Sequence, residues 1–125
     1  MIHLDTHVVL WVWGGLQERL SSGGRHLLDS EVSGISPMVI TELALLHEIG
    51  RVAEPPATVL DDVRRGLELQ VSSSSFSAVA RESIALSWTR DLFDRLILAN
   101  ARADGVRLLT RDRLLREHAP EAVWP

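Results

Sequence analysis

Met1-Ile2-His3-Leu4-Asp5-Thr6-His7 is the stretch on which the fold turns. Ile2 and Leu4, followed by the apolar run Val8–Trp13, read as a short buried strand that passes straight into a helix. Asp5 falls where the strand ends. A carboxylate in so apolar a setting is costly unless it is paired or faces a cation. In open parallel α/β sheets, ligands gather beyond the C-terminal ends of the strands. The chain is therefore read as organised around Asp5, with later acids delivered to the same place.

Working outward, strand and helix signals alternate. Gly14-Gly15 ends the first helix, and a second runs from Ser22 or Gly23 to about Asp29 or Glu31. Gly34-Ile35-Ser36 reads as the second strand. Ser36-Pro37 is an N-cap followed by Pro at the first helical position, opening a helix to about Glu48 with Gly50 as its stop. Pro55-Pro56 starts a helix from Ala57 to about Leu67, and the alternating Leu67–Val71 suits a third strand. The serine run Ser72–Ser75 is a loop that caps a helix over Phe76–Ile84. Asp91 caps a helix ending at Gly105, Val106–Leu109 is the fourth strand, Asp112 opens a short helix to about His118, and Ala122–Trp124 is a fifth strand. Such alternation predicts an α/β fold, a parallel sheet of about five strands with helices on both faces, in one domain over residues 1–125. Strand order is not legible from periodicity.

Composition narrows the function. The chain is 46% hydrophobic and 24% charged, the balance of a globular protein. It has no cysteine, which excludes disulfides and thiolate metal sites. No apolar run reaches the roughly 18 residues of a membrane span, and no secretory leader precedes the first strand, so a cytoplasmic protein without membrane contact is expected. The net charge of −4 argues against a generic basic nucleic-acid binder. All 13 basic residues are Arg, however, and seven lie in 90–116 against the acids Asp91, Asp94, Asp104 and Asp112, leaving that segment at +3. Arg is shaped to fork onto phosphate oxygens.

Four acids stand out: Asp5, Glu42, Asp94 and Asp112. Each has a structural reading of its own. Asp5 and Asp112 follow strands and suit N-caps, and Asp94 is the third helical residue after the Asp91 cap. Glu42 lies inside the apolar arc of its helix, between Leu45, Leu46 and Ile49, six residues past the Ser36 cap and too late for a capping box. Together they fit a single rim. Asp5 and Asp112 sit just after strands, Glu42 in the helix after the second strand, and Asp94 at the start of the helix before the fourth. Four carboxylates on one rim repel each other and raise each other's pKa values unless cations intervene. Mg²⁺ or Mn²⁺ are the natural occupants of an all-oxygen site, and such a site suits phosphoryl chemistry.

The quoted motifs are Leu4-Asp5-Thr6-His7, Glu42-Leu43-Ala44-Leu45-Leu46, Asp91-Leu92-Phe93-Asp94-Arg95 with its apolar continuation, and Leu109-Thr110-Arg111-Asp112. In this order they resemble the PIN-domain nucleases, and most of all the VapC-type toxins of bacterial toxin–antitoxin pairs. The resemblance implies a three-layer α/β/α PIN-like fold and an acidic pocket for Mg²⁺ (or Mn²⁺). It also implies endoribonuclease activity, a homodimer and an inhibitory antitoxin protein. By motif match, Asp5, Glu42, Asp94 and Asp112 take the acidic catalytic and metal-holding positions, with Thr6 and Thr110 lining the pocket. Leu92 stands where Pro is common in the family and Asn100 where Gln is common. Arg95, Arg102, Arg111 and Arg113 are the candidate RNA contacts at the rim.

Other families offer rival readings. A phospho-acceptor receiver domain requires paired acids at the first strand and a late Lys, and this chain has no Lys. A haloacid-type phosphatase requires a second Asp where His7 stands. A catalytically silent binding module, or a housekeeping ribonuclease, remains as the alternative function. His3, His7, His26, His47 and His118 form no ligand-spaced pair on one helix, and Trp11, Trp13, Trp88 and Trp124 read as core or interface rather than a base-stacking platform.

Overall fold

The structure, a computed structural model, describes residues 1–125. Five short parallel strands form one sheet: β1 (Ile2–Leu4), β2 (Ser33–Ile35), β3 (Leu69–Val71), β4 (Arg107–Leu109) and β5 (Ala122–Val123), in the order β3-β2-β1-β4-β5. The helices are α1 (Thr6–Trp13), α2 (Ser22–Ser30), α3 (Pro37–Glu48), α4 (Pro56–Arg64), α5 (Phe76–Ser83), α6 (Leu92–Asp104) and α7 (Arg113–His118), with a single 3-10 turn at Gln17–Arg19. They cover both faces of the sheet in the three-layer α/β/α arrangement. The element boundaries match those read from sequence to within two or three residues. None of the helices is long and apolar enough to cross a membrane.

The first strand of the chain occupies the centre, in register with Ser33–Gly34 on one side and Arg107–Leu109 on the other. All three of its residues are buried. That placement needs apolar cover on both faces, which Ile2 and Leu4 receive within a core cluster of 26 residues. Burying an Ile or Leu of this kind contributes about 1.5–3 kcal/mol. His3 is the exception in the strand. Its ring lies against β2, where a Cβ on Gly34 would come within 2.8 Å of His3 Cδ2. A side chain at position 34 would have to push that ring aside, so glycine here makes room for the histidine. His3 Nε2 lies 2.9 Å from Asp104 Oδ2 at the far end of α6. Burial lowers the His3 pKa and Asp104 opposes that shift.

Capping sets the helix starts. Ser21, Ser36, Ser75, Asp91 and Asp112 each accept a backbone N–H from the first turn that follows. Such caps are typically worth about 1 kcal/mol each. α6 ends on Gly105 in the left-handed conformation, φ 69°, the usual C-terminal stop. Because the strands are parallel, the residues that follow β1, β2 and β4 all emerge on one edge. Asp5, Ser36 and Thr110 are those residues.

Candidate active site

Asp5 is held at the C-terminal tip of β1 with 3% of its surface exposed. One carboxylate oxygen accepts the Thr6 N–H at 2.8 Å, and the other accepts the Thr110 hydroxyl at 2.7 Å. Thr110 is fully buried at the end of β4, the neighbouring strand. Its hydroxyl also accepts the Asp112 N–H at 3.0 Å. Thr110 thus ties Asp5 to Asp112. Asp112 in turn caps α7 through the Leu115 N–H at 2.9 Å, which leaves its second oxygen free of that duty.

Asp94 and Glu42 complete the wall. Asp94 enters from the first turn of α6, its own N–H held by Asp91 at 3.2 Å. Glu42 enters from the second turn of α3. Asp5, Thr6, His7, Glu42 and Asp94, with Leu10 and Leu46 below them, line a cavity of about 140 Å³. Burial pushes the Asp94 carboxyl up to about 7, and the charges of Asp5, Asp91, Asp112 and Glu42 add to the rise. A carboxylate in a first helical turn is ordinarily favoured by the helix dipole, so burial and the facing acids outweigh that benefit here. Glu42 is raised as well, first by burial and then by Asp5 and Asp91. The Thr6 hydroxyl faces Glu42 and opposes its rise without closing a hydrogen bond of normal geometry.

His7 belongs to this site too. Its Nε2 accepts the Arg111 backbone N–H at 3.0 Å, so Nδ1 carries the proton and faces Asp5 Oδ2 at 3.6 Å. Burial lowers the His7 pKa, while Asp5 and Asp112 pull the other way. His7 stands in the Leu4-Asp5-Thr6-His7 motif, but nothing in its spacing gives it a role. Its partner lies 104 residues away and meets it only because β1 and β4 are neighbours.

The arginines divide by place. Arg111 follows Thr110 on the rim, near enough for its charge to act on His7. Arg113 opens α7 beside Asp112 and pairs with Glu117 at 2.9 Å on the exposed surface. Arg95 turns its Nε to the Ser83 carbonyl at 2.9 Å. Arg102 is not brought to the rim. It lies in the last turn of α6 and pairs with Glu121, just before β5, at the opposite end of the sheet. Ten residues along α6 separate that turn from Asp91, and the helix carries Arg102 away from the acids.

Apart from the His7 ring, the donors around the cavity are carboxylate and hydroxyl oxygens, the ligand class of hard divalent cations. Asp94 and Glu42 are raised first by burial and then by the facing acids, and a cation in the cavity would offset that rise. With the side chains as placed, no three His, Asp or Glu groups meet at ligand spacing. Mg²⁺ ordinarily keeps several waters and takes one or two carboxylates directly. The residues fit such an ion.

Compared with known proteins, residues 2–120 match the family model described as the PIN domain. The chain belongs to the PIN-domain family. This PIN domain is also 33% identical over 127 residues to Ribonuclease VapC22 of Mycobacterium tuberculosis (strain ATCC 25618 / H37Rv), covering 97% of this chain and 96% of that protein. Among solved structures, it is similar in fold to a chain of VapBC2 from Rickettsia felis, crystallised bound to a DNA fragment from their promoter. That likeness has a TM-score of 0.68 and 20% identity, over 98% of this chain and 96% of the other.

Within the PIN domain, Thr110 is the strut whose loss is simplest to measure. Thr110→Val keeps the buried volume but removes one donor and one acceptor. The variant should lose about 1–3 kcal/mol of stability, because Asp5 Oδ2 and the Asp112 N–H are left unpaired. Urea unfolding at neutral pH reads this directly, and a midpoint equal to wild type would show that the strut is idle.

Proposed function

We propose that this PIN domain is a Mg²⁺- or Mn²⁺-dependent endoribonuclease, the toxin of a toxin–antitoxin pair. On this reading it acts on RNA in the cytoplasm, associates as a homodimer, and is held in check by a cognate antitoxin protein. The observation that carries the proposal is the convergence of Asp5, Glu42 and Asp94 on one small cavity, with Thr110 fixing Asp112 beside them. The name of the VapC22 relative supports RNA as the substrate and the ribonuclease class. The VapBC2 neighbour is named for a two-component assembly, in line with an antitoxin partner here.

When bound, the divalent ion supplies a Lewis acid for the phosphate and a water of lowered pKa. The chain's own part is to hold and to aim. Asp5, pinned by Thr6 and Thr110, and Asp94 on α6 would hold the ion. Asp112 would complete its shell directly or through water, and Glu42 would accept a proton from the attacking water or orient it. Arg111 and Arg113, just after β4 and at the start of α7, would take substrate phosphates beside the cavity, and Arg95 would join them by releasing the Ser83 carbonyl. Intact acids at all four positions weigh against a silent binding module.

The test uses purified protein and structured RNA. Cleavage is expected with Mg²⁺ or Mn²⁺, and none in EDTA; cleavage that persists in EDTA overturns the mechanism. Induced alone in a bacterial host, the protein should arrest growth. A harmless protein whose RNA cleavage is intact would be a housekeeping ribonuclease instead.

A further inference from the structure

The tryptophans are scattered in sequence, but the fold gathers two of them beside the acidic cavity. Trp11 on α1 and Trp124, just after β5, meet edge to face with ring centroids 5.8 Å apart at 66°. His7, one helical turn before Trp11, stands 4.9 Å from its ring and also lines the cavity. His7 touches Trp11 and Trp11 touches Trp124, so ring contacts run on from the cavity wall. All three are partly exposed.

Arg19, exposed on the 3-10 turn, holds its guanidinium carbon 6.0 Å from the Trp11 ring centroid. That is wider than a stacking contact. Stacked planes in a nucleic-acid strand repeat every ~3.4 Å, so a base laid between an indole and a guanidinium needs a gap of roughly twice that, about 6.8 Å. The observed gap is short of it by less than one ångström, and an exposed Arg on a turn can supply the difference by a small rotation. Unpaired RNA bases are commonly recognised between such aromatic and guanidinium planes.

We propose that Trp11 and Arg19 form a slot that takes one unpaired base of the RNA substrate beside the acidic cavity, with Trp124 bracing the indole. This rests on the ribonuclease reading above. The flat indole face, the guanidinium above it and the contact of Trp11 with His7, which lines the cavity, favour a nucleotide over a protein segment. The slot selects single-stranded RNA, because a base stacked within a duplex cannot enter it.

The experiment measures binding in an Asp94→Asn background, so that RNA is not consumed. The probes are a short unstructured oligoribonucleotide and a duplex of the same length, each followed by fluorescence anisotropy across a salt series. Trp11→Leu should weaken single-strand binding about tenfold, within the range seen when one base loses its stacking partner, and change duplex binding less than about twofold. Trp11→Phe should retain most of the affinity, which a role in packing alone does not require. Arg19→Met, at an exposed position where folding is not at stake, should weaken single-strand binding several-fold. It should also flatten the salt dependence, since a cation is removed from beside the strand, whereas Trp11→Leu should leave the slope unchanged.

Equal losses on both RNAs, or unchanged affinity in both Trp11→Leu and Arg19→Met, overturn the slot. RNA cleavage by the wild type then still supports the ribonuclease reading. If Trp11→Leu leaves RNA affinity intact but weakens self-association or capture of a protein inhibitor, the surface is a protein contact and the slot is wrong. If neither probe binds and the wild type cleaves no RNA, both proposals fall.

Discussion

Asp94→Asn should abolish RNA cleavage, with kcat falling at least about a hundredfold, while RNA binding stays near that of wild type. A hundredfold is the upper end of what losing an outer-shell partner costs at a metal site, and Asp94 is proposed as a ligand. Asn keeps the shape and the helix turn, and the Asp91 cap uses the backbone N–H of residue 94 rather than its side chain. A loss of activity therefore reports on the carboxylate. Asp5→Asn should be as inactive but is a less clean variant, because its carboxylate also receives Thr6 and Thr110. Single-turnover cleavage at saturating Mg²⁺ is the measurement. Activity of Asp94→Asn within tenfold of wild type would remove Asp94 from the chemistry.

The same substitution should make the metal-free protein more stable, and the gain should depend on pH. The Asp94 carboxyl is raised from 3.8 to about 7 in the folded chain. An acid raised in this way binds its proton more tightly folded than unfolded. Stability then falls as pH rises from about 4 to about 7, and the full penalty is present above 7. Taken at face value, three units amount to about 4 kcal/mol. Asp94 is only partly buried and shares its field with other acids, so solvent screening brings the expected figure to about 1–2 kcal/mol. In EDTA, Asp94→Asn should therefore melt a few degrees above wild type at pH 8, and the two should converge near pH 4. Excess Mg²⁺ should reverse the order at pH 8, since an ion at 100 times its Kd stabilises the folded wild type by about 2.7 kcal/mol. A variant that melts below wild type in EDTA at pH 8 would mean that Asp94 sits among compensating charges and not in an acidic pocket.

Much of this was legible from the chain. Each of the four acids follows a strand or occupies a helix where period and capping could be read, and the structure draws Asp5, Glu42 and Asp94 to one cavity. The competing structural readings were also real. Asp5 and Asp112 do cap helices, and the charge of Asp112 still acts on Asp94 and His7 in the site. Capping and site-building were never alternatives for these residues. What stayed hidden depended on strand order. Local period shows that β1 and β4 exist, but their pairing is set by which faces must be covered. Thr110 against Asp5, and His7 against Arg111, follow only from that pairing. The same ignorance left Trp11 and Trp124 apart, at opposite ends of the sequence. Arg102 is a different matter: Asp91 and Gly105 already bound its helix, and eight residues beyond Asp94 at about 1.5 Å each carry it roughly 12 Å from the acids.

The Thr110–Asp5 hydrogen bond joins residues 105 positions apart. A ribosome adds about 5–20 residues each second, so for several seconds the emerging chain carries Asp5 and Glu42 with nothing to set them. Bringing such distant segments together carries its loop-closure cost before any contact rewards it. On the proposed reading, a chain that ends before residue 110 lacks the strut for Asp5 and should not cleave RNA. For a protein proposed to cut RNA, late closure of the site works as a safety catch.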